Sequence, residues 1–555
     1  MYSLSDFIQV ALMNVALPFI LMVLFLILIN VYNTYGSRAL NMRFRGAKKH
    51  IWTIVKENDR SFRCNVCDML LISVEIFCCD SCGVCTDSPC LKLADSKFNC
   101  KETSVESEGP MKHRYIKGNL PMGSQCEVCE EECTDDLRCI WCLRTVHNTC
   151  RQMLGDVCDF GKFKKFILPP NNIIITKKRS RVGAPVKLFH ISEPPWKQSW
   201  TPLFVLANRS SGNMMGGSIL SEFRTLLNSC QVIDLSEKKP SVVGDWLSVL
   251  PESANPIILV AGGDGTVAWV LSAIKKFTLK RTPPVCVIPL GTGNDLSRVL
   301  GWGKQEPQPF LPKKILERIS EASTVNLDRW SVNVKSRSRL SRQKSDYFMY
   351  NYLSIGVDAL VTLDFHNTRQ SPFYIFSNRI INKLLYLIFG TQQVMERQCK
   401  GLEQCIELYL DGHLINLPEL ESIVVLNIPC WGAGVYLWTL GLENDEIEEV
   451  GKQNMNDGRL EVVAISSSFH IAQLQVGLSQ PHRLGQASDI KIIIKKRAPI
   501  QIDGEPWMQQ PSDIHIKWDS QAVLLKNSTS PENNPGDFSH EQSAVFQDIH
   551  PLGTL

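Results

Sequence analysis

A carboxylate set among glycines, Gly262-Gly263-Asp264-Gly265-Thr266, is the stretch of this chain with the plainest chemistry. An apolar run with strand character, Ile257 to Val260, leads into it, and Val267, Val270, Leu271 and Ile274 follow at helical spacing. Strand, glycine turn and helix N-terminus together make an anion site. Without a Cβ in the way, backbone N–H groups reach a phosphate, and the helix dipole favours its charge. Asp264 cannot attract a phosphate by its own charge, so its presence points to magnesium or to a proton. A second glycine loop, Gly291-Thr292-Gly293-Asn294-Asp295, follows the apolar run Val285 to Ile288. A third corner, Asn208-Arg209-Ser210-Ser211-Gly212, follows Leu203 to Leu206. In an open parallel sheet such corners gather at the carboxyl ends of the strands, where ligands bind. The pattern is neither a Walker loop nor the motif set of the protein kinases.

Cysteine carries a second chemistry. Of 20 cysteines, 15 lie between Cys64 and Cys158, in C-x-x-C pairs interspersed with histidine, which favours zinc over disulfides and a reducing compartment. His113, Cys126, Cys129, Cys139, Cys142, His147, Cys150 and Cys158 supply eight ligands, enough for two tetrahedral ions. This spacing resembles the cysteine-rich lipid-binding zinc modules first described in protein kinase C. That resemblance implies interleaved sites, with His113, Cys139, Cys142 and Cys158 on one ion and Cys126, Cys129, His147 and Cys150 on the other. A first copy comprises His50, Cys64, Cys67, Cys79, Cys82, Cys90 and Cys100, with Asp87 where the second copy has His147. Cys78 and Cys85 are spare thiols able to shift its register by one. The short loop between Cys129 and Cys139 carries Glu130, Glu131, Glu132, Asp135 and Asp136, which an anionic membrane repels. A scaffold role is therefore favoured over lipid sensing for the second copy, while Met69 to Ile72 leaves lipid contact open for the first.

The elements that must position these groups divide the 555 residues into several domains. A net charge of +3 indicates no nucleic-acid partner. Residues 7–32 are almost wholly apolar and long enough to cross or enter a bilayer, and Arg38, Arg43, Arg45, Lys48 and Lys49 after them keep the remainder cytosolic. Pro18 leaves a re-entrant path open. The expected order is a membrane segment and basic flank (1–49), two zinc modules (50–100 and 113–158) and a linker (159–200). An α/β Rossmann-like nucleotide lobe (201–320), a second lobe rich in β-sandwich (321–526) and a disordered polar tail (527–555) follow. Asp411-Gly412, Asp457-Gly458 and Asp503-Gly504 mark turns in the second lobe. Arg379 to Phe389 is apolar on most faces and reads as a core helix or as the lining of an acyl channel.

The catalytic half resembles the diacylglycerol kinases. The resemblance rests on Gly262 to Thr266, Pro289 to Leu296 (PLGTGNDL), Leu327 to Trp330, Asn427 to Gly434 (NIPCWGAG) and Asp503 to Trp507 (DGEPW). Two zinc modules ahead of that half and an apolar N-terminal segment are similar to the epsilon type. The resemblance implies transfer of the γ-phosphoryl group of ATP to diacylglycerol in a membrane, with Mg2+ as cofactor and Zn2+ in the modules. Gly262, Gly263, Gly265 and Thr266 would cradle phosphates, Gly291, Thr292, Gly293 and Asn294 would complete the nucleotide pocket, and Asn208 and Ser211 would reach adenosine or phosphate. Asp264 and Glu505 both stand as candidate base, Asp295 as a magnesium ligand, and Asp328 as magnesium-side or as an ordinary buried ion pair. The expected site of action is the endoplasmic reticulum or plasma membrane, with polyunsaturated diacylglycerol preferred. A sphingosine or ceramide kinase, an NAD kinase and a non-catalytic membrane adaptor are the rival readings.

Overall fold

The computed structural model describes residues 44–45, 50–55, 62–72, 75–105, 109–176, 187–212, 214–307, 309–337, 344–370 and 399–528. The apolar segment 7–32 with most of its basic flank, the stretch Arg379 to Phe389 and the tail beyond residue 528 lie outside them. No helix among the described residues is long and apolar enough to cross a membrane. Residues 50–102 and 111–161 belong to one compact unit, and most of the chain from residue 162 onward to another.

The first unit repeats one small plan. Strands Ile51–Val55, Ile76–Cys79 and Cys85–Thr86 precede a helix at Leu91–Lys97, and Tyr115–Lys117, Leu137–Cys139 and Thr145–Val146 precede a single turn at Arg151–Leu154. The apolar cores are thin, Phe62, Cys64, Leu71, Ile76 and Cys85 in one copy and Cys126, Cys133 and Val146 in the other. Cores of this size do not hold a fold without a staple. Cys78 and Cys85 are not spare thiols: they face each other on paired strands and are joined in a disulfide. The two copies are clasped by Asn119, whose amide accepts from Arg63 N at 2.8 Å and donates to Arg63 O at 2.9 Å, much as a strand neighbour would.

The second unit begins earlier than a linker over 159–200 would allow. Phe166, Ile167, Leu168 and Trp200 are buried. Gln231 holds this segment down, donating to Phe166 O and Leu203 O and accepting from Leu168 N. The chain then runs β1 (Leu203–Ala207), α1 (Met215–Leu226), β2 (Val232–Asp234), α2 (Ser241–Ser248), β3 (Ile257–Gly262), α3 (Asp264–Ile274), β4 (Val285–Pro289), α4 (Asp295–Val299) and α5 (Pro312–Glu321). β2, β1, β3 and β4 are parallel neighbours in that order. β1, β3 and β4 are buried from end to end, as strands covered on both faces must be.

Beyond α5 come β5 (Ser323–Ser336), β6 (Lys344–Met349), β7 (Tyr352–Gly356), α6 (Val357–Gln370), β8 (Ile406–Leu410), β9 (His413–Ile415), β10 (Ser422–Leu426) and α7 (Asn444–Val450). The last elements are β11 (Leu460–Ile465), α8 (Ser468–Gln475), β12 (His482–Ala487), β13 (Asp489–Ile494), β14 (Ala498–Ile502), β15 (Glu505–Gln509) and β16 (Ser512–Lys526). An antiparallel sheet of β12, β11, β10, β7, β14 and β15 lies against the inner face of β5, β16, β13 and β8, and Ile406, Leu408, Ile490, Ile492, Ile514 and Ile516 alternate into the shared core. The two lobes are not separate sheets, however. β16 pairs antiparallel with β5 and β13, and its Leu524 meets Val285 of β4, so one ten-stranded sheet runs from the parallel part into the sandwich.

Candidate active site and metal centres

The three glycine corners meet where the sequence puts them, at the carboxyl ends of adjacent strands β1, β3 and β4. Gly212, at φ +61°, lies against Leu290. The loops after β3 and β4 touch backbone to backbone. A Cβ on Gly263 would stand 3.0 Å from the Cα of Gly291, and one on Gly291 would stand 2.7 Å from the Cα of Gly263. Only glycine allows that approach, and it leaves the backbone N–H groups at the N-terminus of α3 unobstructed, while those opening α4 are capped by a side chain. We expect Gly291→Ala to raise the KM for ATP by about tenfold or more while the chain still folds, since the added methyl, 2.7 Å from the Cα of Gly263, pushes the loops apart by most of an ångström. Steady-state kinetics and a melting curve check it.

Not every loop side chain faces a ligand. Asn294, at φ +54°, accepts from Gly291 N at 2.8 Å and donates to Gly291 O and Lys304 O, so its amide braces the loop. Asn208 likewise turns its own corner, accepting from Ser210 N and Oγ, and its main-chain carbonyl accepts from Ser211 N. Thr266 and Thr292 have no side-chain partner among the described residues and stand partly exposed.

The acidic residues fall into different roles. Asp264 opens α3, and its carboxylate accepts from Asp295 N at 3.0 Å and Leu296 N at 3.2 Å, capping α4 from across the cleft. Asp295 is buried, and its Oδ1 accepts from the Cys430 thiol at 3.1 Å and from Ala433 N at 3.0 Å. Asp503 is buried too, accepting from the N–H groups of Tyr350, Asn351 and Tyr352. Asp328 is neither ion-paired nor at the loops: it accepts from Trp518, Gln521 and Gly458 N, and ties β5 to β16. Glu505 differs from all of them. The Asp503-Gly504 turn, with φ +49° and +82°, is a tight hairpin that delivers Glu505 exposed at the start of β15. Its Oε1 stands 2.9 Å from where a Cβ on Gly265 would be, so Gly265 makes room for this carboxylate at the N-terminus of α3.

Burial and the neighbouring Asp264 charge raise Asp295 to about 7, and burial together with Asp264 raises Asp503 to about 7 against three N–H donors. Loss of water also pushes Asp264 up. A raised folded value means that protonation favours the folded state. The metal-free protein therefore holds this stability in full below the unfolded value near 4 and loses it as pH rises through about 7. Asp295→Asn keeps the acceptor oxygen and removes the charge. Its metal-free melting temperature, relative to the parent, is expected to climb between about pH 4 and 7, by the equivalent of at most about 4 kcal/mol. Calorimetry across that window checks it, and a flat difference would overturn the assignment.

Sequence reasoning missed Asn351, Asp503, Cys430 and Asn427 as parts of this site. Asn351 is 2% exposed, and its Oδ1 has no partner among the described residues. Asn427 knits Trp330, Asp328 O and Tyr350 O together beside it. The run NIPCWGAG signalled two of these, but nothing local marks Asn351, which sits at the break between β6 and β7.

In the first unit the thiols and histidines gather in four groups of four, His50, Cys79, Cys82 and Cys100; Cys64, Cys67, Asp87 and Cys90; His113, Cys139, Cys142 and Cys158; and Cys126, Cys129, His147 and Cys150; a smaller group, Cys133 and Asp136, shares His147 with the last. Cys79 and Cys100 Sγ are 3.6 Å apart, Cys139 and Cys158 3.9 Å, and Cys129 and Cys150 3.9 Å. Ligands about 2.3 Å from a tetrahedral zinc would be about 3.8 Å apart. Nδ1 of His50, His113 and His147 lies 3.2–3.5 Å from a cysteine sulfur of its own group. Nε2 of His50 bonds Phe98 O and Nε2 of His147 bonds Glu132 O, which fixes the tautomer that leaves Nδ1 free for a metal. Asp295 is not among these groups.

Residues 202–328 match the family described as diacylglycerol kinase catalytic domain, and residues 348–506 match the diacylglycerol kinase accessory domain. The chain is 33% identical over 516 residues to a probable diacylglycerol kinase 3 of Caenorhabditis elegans, covering 86% of this chain and 64% of that protein. It is 30% identical over 579 residues to diacylglycerol kinase 2 of Arabidopsis thaliana, covering 84% and 80% respectively. It is 36% identical over 342 residues to human diacylglycerol kinase theta, covering 59% of this chain and 35% of that protein. This chain belongs to the diacylglycerol kinase family.

Proposed function

We propose that the protein transfers the γ-phosphoryl group of ATP to the free hydroxyl of 1,2-diacylglycerol, giving phosphatidate and ADP. The observation that carries this reading is Glu505 held against Gly265 at the start of α3, beside the touching Gly263 and Gly291 loops. Phosphoryl transfer needs positioning and charge neutralisation more than covalent help. The two loops bind the phosphates through backbone N–H groups. Glu505 accepts the proton of the lipid hydroxyl, whose oxygen bonds to the γ-phosphorus as the bond to the ADP oxygen breaks. Asp264 is a positioning residue, because both its oxygens hold α4. The residues fit magnesium: Asp295 and Asp503 are buried and form no ion pair among the described residues, and Asn351, whose N–H Asp503 accepts, has an Oδ1 without a partner there. Asp295 and Asn351 would hold the ion, which when bound neutralises charge on the transferring phosphates.

The four thiol-rich groups are read as zinc sites, on the strength of their spacing and their oriented histidines. The N-terminal apolar segment and the paired modules support the epsilon type and membrane attachment with the kinase in the cytosol at the endoplasmic reticulum or plasma membrane; the epsilon resemblance alone implies a preference for polyunsaturated chains. The decisive experiment offers diacylglycerol, sphingosine and ceramide in micelles with γ-labelled ATP. Labelled phosphatidate is the expected product. Labelled sphingosine phosphate or ceramide phosphate would move the protein to the sister kinases, and no label from folded, zinc-loaded protein would leave an adaptor.

A further inference from the structure

From Val462 to His482 the chain has no Asp, Glu, Lys or Arg, and the same holds from Ser422 to Leu442. At 21% charged residues overall, each stretch would ordinarily carry about four. The two stretches pack on one another. Val424, Leu426, Trp431, Leu437, Trp438, Leu440, Val463, Ile465 and Leu474 form a core on the outer face of the six-stranded sheet, and Gln480 donates to Gly441 O. That explains the inward residues of α8, Ser468, His470 and Leu474, which are buried. It does not explain the outward ones. Phe469, 59% exposed, and Val476, 47% exposed, lie seven residues apart on one helical face with Ala472 between them. Gly477, at φ +69°, then folds the chain back so that Leu478 N bonds Gln473 O, which brings Leu478, 74% exposed, onto the same end. The helix shows water an uncharged, apolar face.

We propose that this face, Phe469, Ala472, Val476 and Leu478, is where the kinase unit enters the surface of a lipid bilayer. The occupant follows from three features. The reading of the protein as a diacylglycerol kinase, on which this inference rests, requires some face beside the active site to meet the bilayer, because the acyl chains of the substrate stay there. The patch is continuous with that site. Gln475 lies 3.8 Å from where a Cβ on Gly432 would be, and the next residue, Ala433, donates to Asp295. Finally, the lack of charge over the exposed helix and turn suits insertion among neutral headgroups rather than attraction to anionic ones.

The test uses the full chain with vesicles of phosphatidylcholine. Hydrogen exchange of the peptide spanning Phe469 to Leu478 is measured with and without vesicles, and protection by lipid is expected. In parallel, the triple variant Phe469→Ser, Val476→Ser, Leu478→Ser is assayed on long-chain diacylglycerol in those vesicles and on a short-chain, water-soluble diacylglycerol. The vesicle rate should fall about tenfold or more and the soluble rate should hold. Equal losses on both substrates, an unchanged vesicle rate, or exchange indifferent to lipid would overturn the proposal. Protection that grows with protein concentration in the absence of lipid would overturn it too, in favour of self-association. Should the parent phosphorylate neither substrate, the kinase reading fails and the exchange result alone decides whether this face meets lipid.

Discussion

Glu505→Gln is expected to lower kcat by about 10²- to 10⁴-fold on diacylglycerol, with KM for ATP and the melting temperature close to the parent's. The side chain is exposed at the start of a hairpin strand, so its loss leaves no cavity and no buried orphan. It stands against Gly265 without a hydrogen-bond partner among the described residues, the condition of a carboxylate still available to take a proton. Asp264→Asn is the informative companion. That carboxylate accepts one α4 N–H on each oxygen, so the amide keeps one acceptor and turns its NH2 against the other N–H, and both activity and melting temperature should fall. Activity lost in both variants with stability lost in only one identifies Glu505 as the base. Full activity in Glu505→Gln, measured by single-turnover transfer of labelled phosphate, would return the role to Asp264.

Removing the metal should have the largest effect on stability. A structural zinc site contributes on the order of 10 kcal/mol to its fold, and the apolar cores of the two modules are too thin to replace it. We expect four zinc ions per chain by elemental analysis, and loss of the first unit's exchange protection when a strong chelator is added. Asp87→Ala separates the sites. Asp87 Oδ1 already accepts from Cys90 N at 2.9 Å, leaving the other oxygen for a metal beside Cys64, Cys67 and Cys90. That variant should bind three ions rather than four, and cobalt substitution should show one fewer thiolate-rich tetrahedral spectrum. Four ions in Asp87→Ala would exclude this carboxylate as a ligand.

Features that depend on short spacing were legible in the sequence. The glycine corners of β1, β3 and β4 and the cysteine–histidine ladders each lie within a few tens of residues, so residue type and interval carried them. Features made by returning chain were not. Asn351 becomes part of the site only because Asp503 accepts its N–H from far along the chain. Cys430 and Ala433 find Asp295 in the same way. Residues 159–200, with a basic run and scattered prolines, read as a linker, yet Phe166 O and Leu168 N within them pair with one buried glutamine, Gln231. Cys78 and Cys85 were counted as thiols because their strand register was not visible.

The placement of β16 bears on how the protein is made. This strand leaves the far end of the chain, pairs along its length with β5 and β13, and comes to rest beside β4 of the nucleotide lobe. Until it is synthesised, β4 has an open edge and β5 lacks its longest partner. A nascent chain on the ribosome thus carries all three glycine corners well before it can hold them in place. The continuous sheet that joins the parallel strands to the sandwich is therefore completed only after β16 has emerged.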